Sequence, residues 1–264
     1  MCGILGFAGY VPEGQWTETH DILNALFLEA EGRGRDASGF VAATSAYKNS
    51  RSSELVLDKG PIRARQFVEE SGPWRGLRHR RCSMVLGHVR WATHGSPEDN
   101  RHNHPLVGRH GETYLTHNGI LTDHRDDAER LGLDLEGDCD SEAILRVVEA
   151  AENPVQGLKL ALRELRGTMA TVVYDAKTDW LYLARNGDRP LWMMRLRRDK
   201  RWFFASTREI LLAALQMVLG EKAISRIETL VPLATNHVYA LSAGGTLAAL
   251  AECVPSYRNL SQIL

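Results

Sequence analysis

Met1-Cys2-Gly3-Ile4-Leu5-Gly6 opens the chain. A small second side chain leaves the initiator methionine accessible to removal. Removal would leave a thiol and a free α-amine on one residue. Reference pKa values of about 8.5 for a thiol and about 7.7–8 for an α-amine let that pair share a proton near neutral pH. A cysteine so placed carries its own general base. The alternative is a small buried residue in a first strand, and these six residues alone do not separate the two readings.

Outward from this opening, Ile4–Val11, Gly39–Thr44, Met84–Trp91 and Thr113–His117 read as strands. Four more follow at Thr168–Tyr174, Trp180–Arg185, Leu191–Leu196 and Trp202–Ala205, with closing strands near Val238–Leu241 and Thr246–Ala251. Helical spacing of Ile22, Leu23, Leu26, Phe27 and Ala30 predicts a helix over Thr17–Glu31. Further helices are predicted at Thr122–Leu131, Ser141–Glu152, Leu158–Leu165 and Arg208–Leu219. Asp140-Ser141 reads as the N-cap of the helix from Ser141. Strands and helices in blocks, rather than in strict alternation, point to an α+β fold with antiparallel sheets. No glycine-rich phosphate loop is present.

With 264 residues, 44% hydrophobic and 25% charged, the chain is long enough for a sizeable core in one large domain or two small ones. A formal net charge of -1 gives no global argument for nucleic acid or an anionic membrane. No apolar run reaches the roughly 18 residues of a membrane span, and no basic-then-apolar leader opens the chain. Cysteines at 2, 82, 139 and 253 form no paired motif, which suits a reducing, cytoplasmic setting. Two basic stretches, Arg75–Arg81 and Arg195–Arg201, read as solvated loops, with a docking patch for an acidic partner as the alternative.

Four internal segments bear chemistry. In Gly87-His88-Val89-Arg90-Trp91-Ala92-Thr93-His94-Gly95, a strand end delivers a guanidinium beside an aromatic. That fork suits a carboxylate; the plainer reading is an Arg stacked on Trp91. Histidines 88, 94, 102 and 104 also raise a metal site, although no helix-borne pair or paired Cys supports it. Asn118-Gly119 after a strand reads first as a turn. It reads second as two N–H groups aimed at one oxyanion. In Gly137-Asp138-Cys139-Asp140-Ser141-Glu142, Asp140 is either a helix cap or a carboxylate for a substrate ammonium.

Five ordered blocks resemble class II glutamine amidotransferases, the N-terminal-nucleophile (Ntn) glutaminase domains. The blocks are Met1-Cys2-Gly3-Ile4, Arg33-Gly34-x-Asp36-x-x-Gly39, His88 to Gly95 with Asn103-His104-Pro105, His117-Asn118-Gly119-Ile120, and Asp138-x-Asp140-Ser141-Glu142. Their wording is nearest that of the glutaminase domain of glucosamine-fructose-6-phosphate aminotransferase. Weaker echoes in Ala184–Gly187, Pro190-Leu191 and Ala205-Ser206 extend the resemblance over nearly the whole chain.

The resemblance implies a four-layer αββα sandwich, two antiparallel sheets between helical layers; the organisation expected here is a single domain over 1–264, departing from the family in lacking the synthase domain its enzymes usually carry. It implies that Cys2 is the nucleophile with its own amine as base, and that Asn118 and Gly119 form the oxyanion hole. Arg90 would take the α-carboxylate of L-glutamine, with Thr93 and His94 completing that wall, and Asp140 the α-ammonium. Trp91 would pack beneath the site. His104 would belong to a mobile loop that closes over the substrate, and Arg33 and Asp36 to a structural loop beside the nucleophile. Neither metal nor organic cofactor is implied, and ammonia would pass to a separate acceptor synthase. Two departures stand out: Asn103 before His104-Pro105, and the order Ala37-Ser38 after Asp36. The competing readings are a hydrolase of another γ-glutamyl amide and a non-catalytic glutamine-binding subunit. Arg90 and Asp140, suited to a free amino-acid head, argue against the first, and an intact Cys2, Asn118 and Gly119 against the second.

Overall fold

A computed structural model describes residues 1–44, 54–197 and 199–252; Arg198, within the basic stretch Arg195–Arg201, and Cys253 lie outside the described residues. The strands are β1 (Gly3–Ala8), β2 (Ala37–Thr44), β3 (Glu54–Gly60), β4 (Cys82–Arg90), β5 (Leu106–Val107), β6 (Thr113–Leu121), β7 (Gly167–Asp175), β8 (Trp180–Arg185), β9 (Trp192–Leu196), β10 (Trp202–Ala205), β11 (Ile227–Pro232), β12 (His237–Ser242) and β13 (Leu247–Glu252). The helices are α1 (Trp16–Ala30), α2 (Ala64–Glu70), α3 (Gly72–Gly76), α4 (His124–Arg130), α5 (Ser141–Ala150), α6 (Pro154–Glu164), α7 (Arg208–Leu219) and α8 (Ala223–Arg226).

One sheet runs β11-β9-β10-β1-β4-β2-β3 and the other β13-β12-β8-β7-β6-β5. Every strand pair is antiparallel. Alternating side chains explain the layering. On β1, Ile4 and Ala8 face the second sheet while Leu5 and Phe7 face the helices. On β4, Met84 and Leu86 point inward and Val85 and Val89 outward. On β7, Ala170, Val172 and Tyr174 point inward and Met169 and Val173 face α5 and α6. Both faces of each sheet are therefore covered, which is why these strands read as continuous apolar runs rather than as alternation. α1 covers the first sheet with Leu23, Leu26 and Phe27, all fully buried. Each contributes about 1.5–3 kcal/mol of apolar burial. The result is the αββα sandwich expected.

Several expectations change. Asn118-Gly119 is not a turn: β6 continues through it, pairing Asn118 with Ala170 and Gly119 with Met169. Asp140 makes no side-chain cap to α5. The edge strands β3 and β11 and the short helices α2, α3 and α8 had no clear sequence signature, being half-exposed or only a turn or two long. The stretch Arg195–Arg201 is not a solvated loop throughout. Arg201 is completely buried, and its Nη1 donates to Thr19 at 2.7 Å while the rest of the guanidinium grips Asp199 and Glu18. In the other basic stretch, Arg78 and Arg80 pair with Asp21 and Glu54.

Both basic stretches also sit at the end of the sandwich away from Cys2, which separates the docking patch considered for them from the thiol. Cys82 begins β4 and Trp202 pairs with Ala8, at the opposite end of β1 from Cys2. Six residues of β1 separate the two ends. At about 3.3 Å per residue that is roughly 20 Å.

Arg201 ties β10 to α1, and truncating it would strand the buried Asp199 carboxylate. Arg201→Met is therefore expected to lower unfolding free energy by about 3–5 kcal/mol. Adding Asp199→Asn should restore part of the loss. Urea denaturation of the three proteins measures both effects.

Candidate active site

Cys2 stands just ahead of β1, the middle strand of its sheet, at the end of the inter-sheet core that turns polar. On β4 the inward series Met84, Leu86, His88, Arg90 passes from apolar to charged along one strand. Asn118 reaches the same end from β6. The Cys2 thiol accepts a hydrogen bond from the Trp91 amide at 3.4 Å and donates to the Trp91 carbonyl at 3.5 Å. Arg33 Nε donates to the Cys2 carbonyl at 2.8 Å. The Asn118 carboxamide lies between that carbonyl and Arg33. With its nitrogen 3.3 Å from the Cys2 oxygen and its oxygen 3.2 Å from Arg33 Nη2, all groups are satisfied; the reversed amide would set oxygen against oxygen.

Gly119 lies on an open edge of β6. Met169, its partner on β7, exchanges its backbone groups with Asn186 instead, accepting from Asn186 N at 2.8 Å and donating to Asn186 Oδ1 at 2.6 Å. Gly119 N–H therefore points away from β7, to the side where β5 stops opposite Tyr114 and Leu115. Along that same edge the His117 carbonyl meets His88 Nε2 at 3.0 Å, and Leu121 N–H donates to Asp140 Oδ2 at 2.8 Å. A Cβ on Gly119 would lie 1.9 Å from the Thr168 carbonyl oxygen and 2.5 Å from His117 Nε2, so only glycine fits here.

Arg90 is buried and organises the segment that follows it. Its Nη1 donates to Asn103 Oδ1 at 2.8 Å and its Nη2 to the carbonyls of His94 and Gly95 at 2.6 and 2.9 Å. Nε and one Nη1 hydrogen keep no protein partner among the described residues. Asn103, fully buried, also donates to Pro97 O and Asn100 Oδ1, which makes it the hub of the loop. Asp36 supports the same backbone by accepting from Ala92 N at 2.7 Å. The Asp140 carboxylate lies 3.9 Å from His94 Nδ1.

Burial pushes the Cys2 thiol up, while the Trp91 amide, the chain-terminal amine and Arg90 pull it down. The Met1 amine is held below its usual value by burial, with Arg33 and Arg189 adding to the effect. Beneath the site, burial brings His88 down to about 3 and holds His104 and His117 below the ordinary histidine value. The His88 and His104 rings lie 4.4 Å apart.

The structure thus gathers Cys2, Arg33, the Trp91 backbone and Asn118 in direct contact. Arg90 and Asp140 lie close enough to act on the thiol, and His94 borders Asp140. Three placements differ from expectation. The Trp91 side chain is 52% exposed at the mouth rather than packed beneath. His104 is buried against His88, not carried on an open loop. Thr93 is exposed. His102 and His104, considered as a metal pair, go to different neighbours: His102 accepts from Asp138 N at 3.3 Å, and His104 faces His88. Sequence reasoning passed over Asn103, noted only as a departure, and Ser141. Ser141 Oγ sits 2.7 Å from His117 Nδ1 and also reaches Asp140, and its place beside Asp140 was the one available signal.

Three histidines kept neutral by burial make stability depend on pH. Their folded pKa values lie below the unfolded value of about 6.5, so the unfolded chain binds more protons as pH falls. Stability is full above about pH 6.5 and is lost as pH falls toward 3. His88→Gln keeps a donor for the His117 carbonyl but does not titrate. It should reduce the slope of unfolding free energy against pH by up to about 1.4 kcal/mol per unit between pH 6 and 4. An unchanged slope would contradict a neutral buried His88.

Residues 88–213 match a family model described as a glutamine amidotransferase domain. The glutamine–fructose-6-phosphate aminotransferase of Thermococcus kodakarensis is 32% identical over 194 residues, covering 70% of this chain and 29% of that protein. That of Staphylococcus aureus is 30% identical over 195 residues, with the same coverage of 70% and 29%. The chain thus spans under a third of the length of these relatives. Among solved structures, glutamine phosphoribosylpyrophosphate amidotransferase from B. subtilis superposes with a TM-score of 0.69 at 18% identity, covering 94% of this chain and 49% of that one. The structure of the allosteric regulatory enzyme of purine biosynthesis gives a TM-score of 0.66, also at 18% identity. Over residues 88–213 the chain thus carries a glutamine amidotransferase domain by family match, within a fold shared with glutamine phosphoribosylpyrophosphate amidotransferase.

Proposed function

We propose that this domain releases ammonia from L-glutamine through a γ-glutamyl thioester on Cys2. The observation that supports the reading is the gathering at Cys2 of the Asn118 amide, which donates to its carbonyl, and of the Arg90 and Asp140 charges, which act on its thiol. Glutamine offers the matching groups: one carboxamide, one carboxylate and one ammonium. Arg90 keeps two N–H groups for the carboxylate, and Asp140 keeps lone pairs for the ammonium.

A thiol raised by burial needs a base close at hand, and no histidine touches Cys2 Sγ among the described residues. Loss of Met1 supplies one by turning the Cys2 peptide nitrogen into an amine. Burial and the Arg33 and Arg189 charges depress the Met1 amine now, and the same cations would favour the free base of the new one. The amine takes the thiol proton and sulfur attacks the γ-carbonyl carbon. The oxyanion forms against Asn118 Nδ2 and Gly119 N–H. Collapse breaks the C–N bond and ammonia leaves with the proton from the Cys2 ammonium. Water, deprotonated by the same amine, then cleaves the thioester to glutamate and restores the thiol. The ammonia passes to a separate acceptor enzyme docked at the mouth, beside the exposed Trp91, and away from the basic stretches.

Glutamate and ammonia released from glutamine test the proposal directly. Cys2→Ala should abolish turnover. Asn118→Ala should lower kcat by about 10²–10³. Arg90→Lys, which keeps charge but not the fork, should raise KM at least about tenfold, or about 1.4 kcal/mol. Glutamine turnover unaffected by Cys2→Ala would overturn the assignment. Intact mass should show Met1 absent from active protein; full activity with Met1 retained would overturn the amine as base.

A further inference from the structure

A cavity of about 350 Å³ lies apart from Cys2, between the Asn100–His102 turn, β5 and the start of α5. Leu106, Val107, Leu145 and Cys139 give it an apolar side, and the cations Lys59, Arg101 and Arg146, His102 and the carboxylates Glu136 and Glu142 a polar one. None of the groups that surround the thiol lines it. Its size falls in the range of about 300–1,000 Å³ typical of small-molecule sites.

The charges of the lining do not cancel evenly. Arg146 is spent on Glu142 and Glu149, with Glu136 at 3.3 Å, and Arg101 on Asp99. Lys59 has no carboxylate within ion-pair distance among the described residues. Its ammonium donates to the carbonyls of Asn103 and Pro105 at 2.7 and 2.9 Å, which leaves a third hydrogen and a full positive charge. Burial brings its pKa down to about 8, which is the signature of a cation short of a counter-charge. His102 is 7% exposed, and its Nδ1 has no partner. The fold also makes room for the lysine. Lys59 pairs with Gly39 across β2 and β3, and a Cβ on Gly39 would lie 2.4 Å from Lys59 Cβ and 2.4 Å from the His104 carbonyl oxygen. Glycine at that position lets the lysine stem and the His104-Pro105 backbone pass over the strand.

We infer that this cavity is a second ligand site, taking a small organic anion with an apolar body, whose carboxylate pairs with Lys59 while its hydrocarbon part lies against Leu106, Val107 and Leu145. Cys139 lines the cavity and is followed directly by Asp140, so an occupant abuts the segment that carries the carboxylate on the glutamine side. The inference stands apart from the proposed activity, because occupancy can be measured without glutamine.

Isothermal titration calorimetry of the full chain with hexanoate, and separately with inorganic phosphate, tests it. Hexanoate should bind saturably at one site. Lys59→Met should weaken it at least tenfold, and Lys59→Arg should keep affinity within threefold. Val107→Phe, which fills the cavity without touching the charge, should also weaken it at least tenfold. Circular dichroism melts of each variant separate loss of the site from loss of the fold. Phosphate should bind at least tenfold more weakly than hexanoate. Absence of saturable hexanoate binding, hexanoate affinity unchanged in folded Lys59→Met and Val107→Phe, or phosphate binding as tightly as hexanoate would each overturn the inference.

Discussion

The position of Cys2 depends on the double burial of β1. That strand is fourth of seven in its sheet, hydrogen-bonded on both edges, with one face against the second sheet and the other against α1. A strand held on four sides cannot slip register without moving every inward residue outward. The residue just before it is therefore fixed as firmly as the core, although it lies near the chain end, where order is usually least. A nucleophile at a terminus becomes usable only under such a restraint. Arg33, reaching from beyond α1 to the Cys2 carbonyl, and Ser206 Oγ, accepting from Ile4 N at 2.9 Å, complete it.

The second constraint is the burial of polar groups at one end of the sandwich. A buried guanidinium without partners is very unfavourable, and Arg90 meets that demand by collecting the carbonyls of the loop that leaves its own strand. Asn103 then accepts from Arg90 and donates back into the same loop, so strand end and loop share one network. The histidines below follow a different solution, staying uncharged. This arrangement leaves a preorganised polar pocket at the cost of acid sensitivity. It also accounts for a departure from the family pattern: an amide at 103 can accept from Arg90 and donate to Pro97 together, which an apolar side chain could not.

Much of the architecture was legible in the sequence because apolar strands and the periodicity of α1 and α7 are local signals. The predicted Trp180–Arg185 and Arg208–Leu219 match the structure end to end. What failed was decided by tertiary contact. Asn118-Gly119 has turn chemistry, yet β7 recruits it into a strand, and the close approach of Thr168 and His117, not backbone freedom, is what demands glycine. Asp140 has cap chemistry, yet the open edge of β6 takes its carboxylate. Arg201 has the composition of a solvated loop, yet Asp199, Glu18 and Thr19 draw it into the interior. Of the site residues named from family wording, Arg33, Asn118 and the Trp91 backbone lie in contact with Cys2. Trp91 and His104 show the limit, since a motif carries identity and order but not which side of the backbone faces water.

Asn118 connects these strands of argument. In the free site its amide nitrogen answers the Cys2 carbonyl, and its oxygen is held by Arg33, which itself holds that same carbonyl. The three groups form a closed cycle in which the orientation of the carboxamide is fixed by a cation rather than by a turn. An amide so oriented presents its second N–H hydrogen in a direction set before any substrate arrives, and a donor needing no reorganisation stabilises developing charge best. The restraint on Cys2 and the fixed orientation of the Asn118 amide, the oxyanion donor in the proposed reaction, are therefore one interaction, centred on Arg33. A residue that reads in the sequence as structural support for a loop joins, in the folded chain, the Cys2 carbonyl to the Asn118 carboxamide.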